Sequence, residues 1–144
     1  MRNVIALALS FAIASAALAA DVPRPRELAF KILSAKIEKF DPPQRNRRGK
    51  YEQALVLRLE VDRAEWNNLP PDIESFLYVG DHELRPFANV LDGPRVVFTF
   101  HDPDWQQLQG GELMVLTTRH GDPVLNPDKY KDRPRFDPSL ITEK

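Results

Sequence analysis

The chain has only three histidines, His82, His101 and His120, and each has an aspartate next to it or two residues on: Asp81, Asp102 and Asp122. The densest case is Phe100-His101-Asp102-Pro103-Asp104-Trp105. Imidazole and carboxylate are ligands for Zn²⁺ or Cu²⁺, and the same groups exchange protons as general acid and base. Strand direction limits which of them can meet. A strand rising from Phe76 puts His82 at its top turn, and a later one rising through Val96 ends at His101. The next strand descends and leaves His120 a strand length away, ~20 Å. The candidate metal set is therefore His82, His101, Asp81 and Asp102, with Zn or Cu as the alternative to no cofactor.

A structural role competes for most of those residues. Asp102 is a favoured N-cap, Pro103 suits a first helical position, and Asp104 complements the positive end of a short helical turn. Trp105 and Leu108 then cover one end of a core. "DRAEWNNL" repeats the design, with Asp62 as cap and Trp66 and Leu69 as cover, so both tryptophans are expected to be core plugs. Only His101 is left without a structural reason.

A second candidate is Arg45-Asn46-Arg47-Arg48-Gly49-Lys50, which has four cations in six residues. Arg45, Arg47, Arg48 and Lys50 suit an anionic headgroup or an acidic partner from a loop position. Hydrolytic chemistry has less support. After residue 20 the serines are Ser34, Ser75 and Ser139, none sits in a nucleophile elbow, and the chain has no cysteine. The expected class is a non-enzyme.

The elements that must carry these residues read mainly as strands. In Leu55 to Asp62, the apolar Leu55, Leu57, Leu59 and Val61 alternate with Arg58, Glu60 and Asp62, the period of a half-buried strand. Phe76 to Val79 reads as a strand that turns at Gly80 to Glu83 and returns through Leu84 to Val90, with Pro86 making the return an edge or an interrupted strand. Val96, Phe98 and Phe100 share one face of a third strand, and Leu113 to Arg119 is apolar on both faces. Leu28 to Phe40 fits a strand with a slip near Ser34 better than a helix, because a helix would turn Lys36 and Lys39 inward.

These elements predict an all-β sandwich with short helical crossovers. "LYVGDHELRPF", "RVVFTF" and "GGELMVLTTRHGD" resemble the second half of an immunoglobulin-like domain of the IPT/TIG subgroup. That resemblance implies a single immunoglobulin-like sandwich and a binding or spacer role, over Leu77 to Asp122.

Residues 1–20 read as a signal peptide: Arg2, an apolar run, and Ala17-Leu18-Ala19 as the cleavage signal. Residues 21–121 then form the sandwich. Residues 122–144 form an extended or disordered tail, with four prolines and ten charged residues between Gly121 and Lys144. Tyr130 and Phe136 are its candidate anchors on a partner. The leader carries only Arg2, so the chain's net charge of −1 becomes −2 without it. Such a balance lacks the basic footprint of nucleic-acid binding. The expected protein is periplasmic or secreted, has no transmembrane anchor after cleavage, and acts as an accessory module for another envelope protein. The alternative is a metal- or small-ligand-binding protein that uses the His82/His101 end.

Overall fold

The computed structural model describes residues 27–118 and 133–143; the leader, His120, Asp122 and Tyr130 lie outside them. In chain order the strands are β1 (Glu27–Leu28), β2 (Lys31–Asn46), β3 (Gly49–Asp62), β4 (Ser75–Val79), β5 (His82–Leu84), β6 (Pro86–Asp92), β7 (Arg95–Asp102), β8 (Met114–Thr118) and β9 (Ile141–Glu143). They form two sheets, one ordered β1-β8-β4-β5 and the other β6-β7-β3-β2-β9. The sheets pack face to face, and the fold is an all-β sandwich.

Alternation explains the packing. Leu55, Leu57, Leu59 and Val61 of β3 point inward, as do Val96, Phe98 and Phe100 of β7, and they meet Leu77, Val79, Met114 and Leu116 of the opposing sheet in one core. With no cysteine to cross-link the chain, this burial holds it together; each fully buried Leu or Phe contributes about 1.5–3 kcal/mol. The slip expected near Ser34 is a register shift between Ile32 and Ser34. It keeps Ala35 and Ile37 opposite the inward Leu57 and Leu55.

The return from the hairpin at Gly80 differs from expectation. Its turn is Gly80-Asp81, with Gly80 at φ 60°, a backbone conformation that suits glycine. The return then divides. β5 pairs with β4 in the first sheet, while β6 crosses to the second and pairs with β7 at its edge. Pro86 stands at the crossing, where the backbone leaves one ladder for the other and the missing N–H costs nothing.

Both expected crossovers are present. Asp62 caps the helix α1 (Arg63–Asn67), accepting the Glu65 N–H at 2.9 Å. The Trp66 ring meets Phe98 edge-on at 5.0 Å, and Leu69, Trp105 and Leu108 also pack on the core.

The tail corrects the sequence reading in its described part. Phe136 is 4% exposed and belongs to the core, so it is not a free anchor for a partner. Its N–H and C=O bond to Glu112 and Gly111, Pro138–Leu140 forms a 3₁₀ turn, and β9 pairs in parallel with β2. Three paired residues inside a proline-rich segment leave almost no periodic signal.

Candidate functional site

The β2–β3 hairpin is longer than the sheet it belongs to. β3 pairs with β7 only from Leu55, opposite Asp102, onward, so Gly49 to Ala54 and the facing part of β2 project beyond that ladder. The tip turns through Arg47 and Arg48. The Asn46 Oδ1 accepts the N–H of Arg48 at 2.8 Å and of Gly49 at 3.2 Å, and Gly49 sits at φ 138°, which a side chain rarely adopts. This local bonding explains why a loop-like sequence closes as a tight hairpin.

The four expected cations are gathered at that tip. Arg45 and Lys50 are cross-strand partners, and Arg47 and Arg48 occupy the turn between them. All four are exposed. Like charges placed directly opposite one another oppose pairing. Only Arg48 has an ion-pair partner among the described residues: its Nη1 lies 2.7 Å from the Asp104 Oδ2 and ties the tip to the turn after β7.

Below that tie is Asp102, which is fully buried. Its Oδ1 accepts the Asp104 N–H at 2.9 Å and lies 3.1 Å from the His82 Nε2. Its Oδ2 has no hydrogen-bond partner among the described residues. Asp102 therefore shapes the turn, Pro103-Asp104, that leads directly into the 3₁₀ segment Trp105–Gln107. The N-cap position itself falls to Asp104, whose side chain makes no cap bond. The hydrogen bond to Asp102 raises the His82 pKa above the ordinary histidine value, against a smaller opposing effect of burial.

His101 is held by different groups. Its Nδ1 is 2.8 Å from the Tyr51 hydroxyl, and its ring stacks between Phe87 at 4.0 Å and Phe40 at 5.0 Å. Burial lowers its pKa. The structural reason that the sequence did not supply for His101 is this aromatic stack. Phe40 and Phe87 are distant in sequence and each precedes or follows a proline-marked irregularity, so no local pattern announces the contact.

Both histidines nonetheless line one open cleft of about 420 Å³, together with Arg47, Arg48, Arg85 and Asp104. The sequence placed the two imidazoles at one end of the sandwich and the cations in an unrelated loop; the hairpin brings them to the same place. The expected metal set is not assembled as such. Among the described residues the one group whose donor atoms come together, all within 4.8 Å, is His82, Asp102 and Asp104. Asp81 is exposed in the Gly80-Asp81 turn and His101 faces its aromatic neighbours, so neither belongs to that group.

Of the residues offered by sequence for partner binding, Arg45, Arg47, Arg48 and Lys50 are exposed together, Phe136 is in the core, and Tyr130 is outside the described residues. Among the described residues, no helix is long and apolar enough to cross a membrane. A scan against protein-family models, a search of curated proteins and a search of solved structures each returned no match.

Proposed function

We propose that this protein is an exported, non-catalytic binding module that engages an acidic segment of another envelope protein through the tip of the β2–β3 hairpin and the cleft beneath it. The observation that carries this reading is the pairing of Arg45 with Lys50 across a turn made of Arg47 and Arg48. A hairpin gains from opposite charges at such positions and loses from like ones. Four cations there, three of them without an ion pair among the described residues, work against the hairpin itself and serve an anionic ligand instead. The leader-like residues 1–20 supply the exported address, and the immunoglobulin-like pattern of Leu77 to Asp122 is in keeping with a binding role.

Exposed ion pairs each contribute roughly 0.2–1 kcal/mol, so the tip alone supports a weak, salt-sensitive association. The cleft below continues that surface: Arg47 and Arg48 line it, and Arg85 is held there by Glu74 at 3.6 Å and Glu83 at 3.8 Å. The test is capture from the envelope fraction of the producing cell, using the protein and its Arg45→Glu, Arg47→Glu, Lys50→Glu form. The expected result is a partner with an acidic surface segment that the wild type retains and the charge-reversed form loses. Retention of the same partners by both forms would contradict the reading.

A further inference from the structure

The group His82, Asp102 and Asp104 has a property the binding reading does not use. Asp102 is fully buried, yet among the described residues its carboxylate has a single imidazole as its side-chain partner and one oxygen, Oδ2, with no hydrogen bond. Buried carboxylates are ordinarily paired, hydrogen-bonded at both oxygens, or bound to a metal. One imidazole and two carboxylates from the end of β7, its following turn and the start of β5 converge on this point, with donor atoms within 4.8 Å of one another.

We propose that His82, Asp102 and Asp104 bind one divalent transition-metal ion, with Zn²⁺ the best match to one nitrogen and two oxygen donors. Donors about 2.1 Å from a tetrahedral ion are about 3.4 Å apart. The His82 Nε2 and Asp102 Oδ1 already stand at 3.1 Å, and no pair is wider than 4.8 Å, so closure of any pair is at most about 1.4 Å. Asp104 is only partly buried and can make that movement. His82 and Asp104 line the open cleft, which gives the ion a path in and leaves a coordination position for water or a ligand atom.

A positive group already stands at the site. Arg48, whose side chain is 68% exposed, holds the Asp104 Oδ2 at 2.7 Å, so it competes with the ion for the charge of that carboxylate. His101 does not take part: its ring stacks against Phe87 and Phe40, and its nitrogens are not among the donor atoms that lie within 4.8 Å of one another. The proposal is independent of the acidic-partner reading.

The experiment is calorimetric titration of purified, chelator-treated protein with Zn²⁺ alone, with circular dichroism of each variant as a check of fold. One ion per chain is expected, with His82→Gln and Asp104→Asn each weakening it by about tenfold or more, the loss that even an outer-shell partner's removal produces. His101→Gln is expected to retain binding. Arg48→Ala is expected to tighten it several-fold by removing the competing cation, a gain that misfolding cannot imitate. No Zn²⁺ uptake by the wild type, uptake unchanged in both His82→Gln and Asp104→Asn, loss of uptake in folded His101→Gln, or no gain in Arg48→Ala would overturn the proposal.

Discussion

The His82 Nε2 lies 3.1 Å from the Oδ1 of a fully buried Asp102, joining β5 of one sheet to the end of β7 in the other. The same Oδ1 holds the Asp104 N–H at 2.9 Å, so one oxygen fixes both the inter-sheet contact and the turn. Replacing Asp102 by Ala removes the acceptor of both donors. The expected cost is on the order of 2 kcal/mol, because an unpaired buried polar group loses its hydration without recompense. Asp102→Asn keeps an acceptor for the turn and should cost less. Chemical denaturation of the two variants measures the difference.

In metal-free protein the two histidines should respond to pH in opposite senses. The His82 pKa is raised in the fold, so its stabilising effect is complete below the ordinary value of about 6.5 and declines as pH rises from there through the folded value. His82→Gln is then more costly at pH 5.5 than at pH 8.5. The His101 pKa is lowered by burial, so the unfolded chain takes up a proton first as pH falls below about 6.5, and stability is lost from there down through the folded value. His101→Gln removes that loss, so its cost shrinks at acid pH. Thermal melts across this range separate the two.

Phe136 is 4% exposed within the core, so Phe136→Ala should destabilise by about 3–5 kcal/mol. Tyr130→Ala tests whether the preceding segment matters comparably. A Phe136 that served a partner instead of the core would leave the denaturation midpoint unchanged when removed.

Asp62 caps α1 through the Glu65 N–H. Asp62→Ala should cost about 1 kcal/mol, the usual effect of losing an N-cap side chain. The loss should be the same with and without Zn²⁺, since Asp62 lies at the other end of β3 from the basic tip.

Much of this architecture was legible in residue order. The alternation of Leu55 to Val61 and of Val96 to Phe100 marked two strands and their inward faces, and Asp62 and Trp66 announced a capped crossover. The shift near Ser34 followed from keeping Lys36 and Lys39 out of the core. What escaped was what depends on pairing between distant segments. The split of the Leu84 to Val90 return into two sheets is set by Pro86 and the second ladder, and β9 is held by β2, not by its own pattern. At the site, His82, His101, Asp81 and Asp102 were expected at one end of the sandwich, but the meeting of His82 with Asp102 and Asp104 depends on side-chain direction. A strand residue's face is legible from sequence; the phenyl rings that cover it, here Phe40 and Phe87, are not.

The most direct test of the acidic-partner account is the anisotropy of a labelled polyglutamate peptide titrated with the protein in the presence of a chelator. The account predicts saturable binding that weakens steeply with added NaCl and is abolished by Arg45→Glu, Arg47→Glu, Lys50→Glu. Binding absent from the folded wild type, or equal in the charge-reversed form, would contradict it.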